Sequence, residues 1–336
     1  MSFQIHFHRC DNHLQQACRN VIDEWTSENV ALTFATSGST GTPKQITLSK
    51  QQIASSAKRS NSYFNLNEKS KVLLCIHPQH VGGKMVLIRA LIGDYEVHVV
   101  PVQRNFWEYM PEMAFDFVSL VPLQIQAALN QNIPLFQAFK TILIGGSALQ
   151  QTIEQAVVQS SNIDCAIYMG YGMTETISHI ALRKLGQEDY TLLSDVILEA
   201  HPTRTHILDK ATGVDITCTD VLEMTSKNTF KWVGRQDFVI NSGGVKIHPE
   251  RIEQILTDHI HGNYVIVGLP DELFGEKVVL VTERALSDSA RTHIEEIIRT
   301  TFGSYAVPKN YLVHSIPTNG VKIMRKQLHN EIRKLE

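Results

Sequence analysis

The chain has 336 residues, 43% hydrophobic and 19% charged, a globular balance with room for one large domain or two. Its 31 basic and 34 acidic side chains leave a net charge of −3, which argues against attraction to nucleic acid or an acidic membrane by overall charge. The start, MSFQIHFHRC, lacks a basic segment followed by a long apolar run, no window could span a bilayer, and Cys10, Cys18, Cys75, Cys165 and Cys218 form no C-x-x-C pair; together these predict a cytoplasmic protein with free thiols and no membrane insertion.

In chain order, His6 and His8 come first and would share one face of a strand. No third metal ligand is apparent nearby, so they read as surface or packed residues. Short β-branched runs then alternate with helical stretches. ALTFAT, VLLCI, EVHVVPV, FVSLV, TILIGG and CAIYM read as strands, several of them continuously apolar, as strands covered on both faces are. Helices are predicted near 50–64, 83–92, 122–130 and 149–159, the first with Ser49 and Gln52 spaced as a capping box. This alternation predicts an α/β fold with a mixed or parallel sheet. The pattern changes after about residue 230, where GRQDFVINSGGVKIHPERIE carries an Arg-x-Asp and a glycine pair. A helix at 249–259 with Pro249 in its first turn, strands NYVIVGLP and KVVLVTE, a helix near 289–301, YLVHSIP and a basic helix near 323–335 then predict a small α+β domain. The expected division is 1–236 and 237–336, with a tight hinge at Asp237 and no long linker.

The segment TSGSTGTPKQI, Thr36–Ile46, carries the most chemistry. Gly38 and Gly41 let backbone amides approach an anion, Ser37, Ser39, Thr40 and Thr42 add hydroxyl donors, and Lys44 adds charge; Thr36 opens the loop. The β- and γ-phosphates of a nucleotide fit such a surround. It is not a Walker loop, because Gly41 is followed by Thr-Pro-Lys. By composition alone the plainer reading is a Ser/Gly-rich surface turn. The string TSGSTGTPK, however, resembles the phosphate loop of the adenylate-forming superfamily of acyl-CoA synthetases, peptide-synthetase adenylation domains and luciferases.

Further motifs follow in that family's order. His80-Val-Gly-Gly resembles the segment bordering the acyl pocket, and Ile144-Gly-Gly-Ser-Ala-Leu the strand-end glycines beside adenine and acyl group, so Gly145, Gly146 and Ser147 become ligand contacts. YMGYGMTET resembles the Y-G-x-T-E motif: the resemblance implies Gly170 and Tyr171 at adenine, Thr174 at phosphate and Glu175 at Mg²⁺. Asp220 resembles the ribose-binding aspartate, although Thr219 stands where glycine is usual, and Arg235 resembles the second ribose contact. PTNGVKIMRKQL resembles the C-terminal catalytic motif with Lys322 as its lysine, here preceded by Val321 rather than glycine. Gly243 and Gly244 match the region that forms the thiol channel.

The resemblance implies ATP and Mg²⁺ for activating a carboxylic acid, then transfer of the acyl group to coenzyme A. Arg89, nine residues after His80, and YGMTETISHIALR resemble the o-succinylbenzoate–CoA ligases of menaquinone biosynthesis, with Arg89 pairing a distal carboxylate. The plainer reading of Arg89 is a buried ion pair or snorkelling to solvent. Another acyl- or aryl-CoA ligase, a carrier-loading adenylation enzyme and a non-catalytic nucleotide-binding homologue stay open. Typical members carry a long N-terminal subdomain before the phosphate loop, which here begins near residue 36, so a reduced fold is expected, with exposed apolar surface that a homodimer would cover.

Overall fold

The computed structural model describes residues 3–35, 45–160, 164–319 and 322–334. Strand β1 (Gln4–Phe7) and helix α1 (Asn12–Thr26) precede a hairpin of β2 (Ala31–Ala35) and β3 (Gln45–Ser49). Helix α2 (Lys50–Tyr63) starts at once. The Gln52 N–H donates to Ser49 Oγ at 3.2 Å and the Ser49 N–H to Gln52 Oε1 at 3.1 Å, the capping box expected from their spacing. Strand and helix then alternate through β4 (Lys71–Leu74), α3 (Val81–Gly93), β5 (Glu96–Val99), β6 (Phe115–Leu120), α4 (Pro122–Asn130), β7 (Phe139–Ile144), α5 (Gln151–Gln159) and β8 (Ala166–Gly172). The six strands β1-β5-β4-β6-β7-β8 pair in parallel in that order. Helices α1–α3 cover one face through residues such as Leu14, Ile53 and Leu87, and α4 and α5 cover the other through Ile125 and Ile153. Each fully buried Leu or Ile of this kind contributes roughly 1.5–3 kcal/mol.

Beyond β8 the sheet turns antiparallel. The next strands are β9 (His179–Lys184), β10 (Tyr190–Leu192), β11 (Val196–His201), β12 (Arg204–Asp209), β13 (Val214–Cys218), β14 (Asp220–Met224) and β15 (Thr229–Arg235). β9, β10, β15 and β14 extend the sheet to ten strands, while β11–β13 form a separate three-stranded sheet. That small sheet is tied to α2 by a buried fork: both Arg59 terminal nitrogens donate to Asp209 at 2.8 Å. All five cysteines are free, and among the described residues no helix is long and apolar enough to cross a membrane.

The C-terminal portion contains β16 (Ile240–Ser242), β17 (Val245–Ile247), α6 (Pro249–Leu256), β18 (Tyr264–Asp271), β19 (Gly275–Thr282), α7 (Asp288–Phe302), β20 (Asn310–Val313), β21 (Thr318–Asn319), β22 (Lys322–Ile323) and α8 (Arg325–Ile332). Strands β16–β20 form one mixed sheet with its own apolar clusters, Ile252, Leu256, Ile294 and Ile298 in one and Leu328 and Ile332 in another. The helix expected from residue 323 begins at Arg325 instead. Lys322 and Ile323 pair with β21, and the Met324 N–H donates to Pro317 O at 2.8 Å, holding the chain extended until that point.

Helix α6 meets β15 through a carboxyl that lacks a full set of partners. Among the described residues, Glu250 Oε1 accepts only a long bond from the Arg235 N–H, 3.4 Å, and Oε2 is buried without one. Burial raises its pKa to about 7, against the pull of Arg325. A folded pKa above the unfolded value of 4.5 means the protonated form is favoured by folding, so this stabilising contribution is complete below about 4.5 and lost as pH rises through 7. Glu250→Gln is therefore expected to raise Tm relative to wild type increasingly as pH passes neutrality. Melting curves of both proteins that stay parallel across that range would contradict the assignment.

Candidate active site

Parallel strands β4, β6, β7 and β8 end at one edge of the sheet, the side on which open α/β sheets bind ligands. Several of the expected site residues lie at the ends of these strands. His80 is the exposed N-cap of α3, after the exit of β4, its ring 6.4 Å from that of His77. Gly83 lets α3 approach the strand exit: a Cβ there would lie 2.5 Å from His77 O. After β7, the Gly145 N–H donates to Leu120 O at 3.0 Å, and Gly146 has φ 91°, a left-handed conformation suited to glycine. Ser147 follows, half-buried. Thr36, Ser37, Gly38, Ser39, Thr40, Gly41, Thr42 and Lys44 lie outside the described residues. The strands flanking them are described, with Ala35 paired to Gln45. Lys84, in the first turns of α3, lies over the Phe34 ring at 4.9 Å, which puts the foot of that hairpin beside the exit of β4.

Strand β8 carries Gly170 and Tyr171 and bulges at Gly172. A short 3₁₀ turn, Thr174–Thr176, follows. Thr176 is buried and locks this turn: its Oγ1 accepts from the Met173 N–H at 2.9 Å and donates to Ser178 O at 2.8 Å. Ile177 closes the turn at φ 70°, a conformation that costs a β-branched residue on the order of 1–3 kcal/mol. The turn holds Thr174 half-exposed and Glu175 exposed, and neither side chain has a hydrogen-bond or ion-pair partner among the described residues. Gly172 is required by contact, since a Cβ would stand 2.2 Å from Ser178 O. Gly172→Ala is expected to lower Tm and to abolish activity together, because backbone on both sides must move. Wild-type melting and activity would show that the bulge does not position the turn.

Two polar groups flank this turn. On one side, Arg89 of α3 is 2% exposed; its NH2 donates to Ser178 Oγ at 2.6 Å and its Nε has no hydrogen-bond partner among the described residues. Burial lowers its pKa to about 10, and among the described residues no carboxylate pairs with it. Burial and the charges of Arg89 and Arg59 push His179 well below its ordinary value, so it is neutral. Ser178 Oγ, which accepts from Arg89, lies 3.2 Å from His179 Nδ1, and His179 Nε2 lies 3.4 Å from Ser60 Oγ. On the other side, the buried Tyr171 hydroxyl donates to Asp220 Oδ2 at 2.8 Å, and its ring packs edge-on against Phe230 and Tyr190. Asp220 pairs across the β14–β15 ladder with Arg235, whose Nε lies 3.8 Å from Asp220 Oδ1. Burial raises the Asp220 pKa, against Tyr171 and Arg235, which lower it. Arg235 NH2 donates to Asp237 Oδ2 at 2.8 Å and to Thr219 Oγ1 at 2.9 Å, and Thr219 in turn donates to Asp237 Oδ2 at 2.9 Å.

Gly243 and Gly244 are not in this cluster. With φ 58° and 80° they make the two-residue turn between β16 and β17, where a Cβ on Gly243 would strike the Tyr305 ring at 2.3 Å. Lys322 begins β22, and its side chain falls outside the described set. The cavity of ≈ 230 Å³ lined by Phe115, Phe136, Phe139, Lys140 and Cys165 opens at the opposite ends of β6 and β7, away from the motif residues. Thr219, Ser178 and His179 were not anticipated as site residues. Thr219 had one signal, its presence where glycine is usual; its hydroxyl bridges Arg235 and Asp237, which glycine could not do. His179 also had one, a polar Ser-His pair between Ile177 and Ile180 in an otherwise apolar strand start.

A parallel sheet with glycines after its strands, continued by antiparallel strands that carry Asp220 and Arg235 beside Tyr171, belongs to the adenylate-forming architecture. The chain is a member of the AMP-binding enzyme family, which matches residues 7–221. It is 28% identical over 328 residues to the 2-succinylbenzoate–CoA ligase of Haemophilus influenzae, covering 89% of this chain and 70% of that one. Among solved structures, an acyl-CoA synthetase (AMP-forming)/AMP-acid ligase II-like protein from Dyadobacter fermentans is 28% identical with TM-score 0.63, covering 96% of both chains. The Bacillus subtilis o-succinylbenzoate coenzyme A synthetase, solved with ATP and magnesium ion, has TM-score 0.75 at 18% identity, covering 88% of this chain and 69% of that one. The chain is thus an enzyme of the AMP-forming acyl-CoA synthetase type.

Proposed function

We propose that this enzyme couples 2-succinylbenzoate to coenzyme A at the expense of ATP. The observation that carries the substrate assignment is Arg89: a fully buried guanidinium with a free Nε and no carboxylate partner among the described residues, beside the turn that bears Thr174 and Glu175. A buried cation left unpaired is costly, and a substrate carboxylate would complete it. The second carboxylate of the same molecule is the one activated.

In this reading the aromatic acid lies between Arg89 and the strand ends, bordered by His80, Gly145 and Ser147. Thr36–Thr42 and Lys44 hold the phosphates, and Gly146, Gly170 and Tyr171 border adenine. Asp220, oriented by the Tyr171 hydroxyl, and Arg235 hold the ribose. Glu175 fits a magnesium ligand, being exposed with no partner of its own among the described residues. Mg²⁺ supplies charge neutralisation at the phosphates. A carboxylate oxygen attacks the α-phosphorus, pyrophosphate leaves, and Lys322 stabilises the developing negative charge. The portion from residue 237 then turns about Asp237, Lys322 withdraws, and Gly243–Gly244 line the path of the thiol. The thiol adds to the acyl carbonyl and AMP departs. The division into 1–236 and 237–336 is part of this proposal. Its support is that the apolar clusters on either side of Asp237 are separate.

A coenzyme A ligation assay across a panel of acids tests the reading. Turnover should be greatest with 2-succinylbenzoate and fall steeply for aromatic acids lacking a second carboxylate. Equal or better use of monocarboxylic acids would overturn the substrate assignment and leave the ligase reaction standing.

A further inference from the structure

Strand β1 is the outer edge of the ten-stranded sheet and pairs in parallel with β5, setting His6 opposite His98 and Gln4 opposite Glu96. The two-residue period of a strand puts His6, Glu96 and His98 on one face. This overturns the expectation of no third ligand near His6: one ligand atom from each of the three lies within 4.8 Å of the others. The His6 and His98 rings stack with centroids 4.7 Å apart. His98 is 6% exposed, and its Nε2 is buried without a hydrogen-bond partner among the described residues. Glu96 Oε2 stands 3.5 Å from it, beyond good hydrogen-bond length. The other ring nitrogen is engaged, with His98 Nδ1 2.9 Å from His8 Nε2. A proton on Nδ1 donated to His8 leaves the Nε2 lone pair on the side of Glu96, the arrangement in which a partner orients a metal-binding imidazole.

We propose that His6, Glu96 and His98 form a site for a divalent transition metal, with Zn²⁺ the best match. Two imidazoles and a carboxylate are a zinc donor set, whereas magnesium and calcium prefer oxygen alone. Metal–nitrogen bonds of about 2.0–2.1 Å would draw the three donors together and satisfy the orphaned Nε2. His8 is a positioning residue. The ion would clamp the four-residue edge strand β1 to β5, securing the start of the chain to the sheet. The site stands apart from the reaction proposed above and does not depend on it.

The test is titration of metal-free protein with Zn²⁺ alone, without nucleotide, by calorimetry and thermal unfolding. One ion per chain should bind at micromolar Kd or tighter, and Tm should rise by about 4 °C at a hundredfold excess over Kd. His98 is buried and its replacement disturbs the core, so the variants are His6→Gln and Glu96→Gln, each expected to weaken binding at least about tenfold. Co²⁺ in place of Zn²⁺ should show ligand-field bands without a thiolate charge-transfer band, which separates this site from Cys10 and the other thiols. Absence of saturable binding, a thiolate band, or undiminished affinity in both variants would overturn the proposal.

Discussion

Lys322→Ala is expected to slow formation of the acyl-adenylate by about a hundredfold, or ~3 kcal/mol of transition-state stabilisation, while sparing thioester formation from supplied acyl-adenylate. The first step concentrates negative charge on the α-phosphate as pyrophosphate departs. In the second, AMP leaves from an already activated acyl group, and the proposed rotation has carried Lys322 away. The surroundings of the lysine support such a movement. Three residues on, Arg325 is ion-paired with Glu253 and lies over the Phe238 ring at 5.4 Å, next to Asp237. The ribbon bearing Lys322 is thereby anchored beside the proposed hinge and would move with it. Single-turnover pyrophosphate release and separate thioester assays give the two rates. Equal loss in both steps would contradict the alternation of domains.

Arg89→Met is expected to raise KM for 2-succinylbenzoate roughly 10–100-fold, the loss of a charge-assisted pair. Stability should move the other way or not at all. Arg89 has no acidic partner among the described residues, so a methionine of similar length removes a buried charge without orphaning another. This separates the two readings of the residue. An arginine that serves the fold would show a lower Tm with KM unchanged. An arginine that serves the substrate would show the reverse, with little change in KM for an acid lacking the distal carboxylate.

Much of the parallel half was legible because its strands are covered on both faces. VLLCI is continuously apolar for that reason, FVSLV and TILIGG are nearly so, and β4, β6 and β7 follow them closely. The Ser49 capping box is local backbone chemistry and was legible in the same way. A mixed sheet was expected, but the individual strands of its antiparallel half were not. Strand β13, VDITC, alternates polar with apolar over only five residues and β12, RTHILD, does not alternate in residue type, so their pairing is fixed by neighbouring strands rather than by a local pattern. Long-range pairing also hid the histidine cluster, because His6 meets His98 only when β1 docks on β5. The site shows the same division. Tyr171, Asp220 and Arg235 sit in recognisable strings, and the structure brings them together through the 2.8 Å Tyr171–Asp220 bond and the β14–β15 ladder. Their contacts with Thr219, which bridges Arg235 and Asp237, and the contact of Ser178 with Arg89 were not legible, because each depends on the bulge at Gly172 or the turn at Asp237 bringing separate segments together.

The most direct measurement is ATP–pyrophosphate exchange with purified protein, magnesium and a panel of acids, without coenzyme A. The account predicts exchange that requires the acid, is greatest with 2-succinylbenzoate and falls about a hundredfold in Lys322→Ala. Nucleotide binding with no acid-dependent exchange for any member of the panel would contradict it.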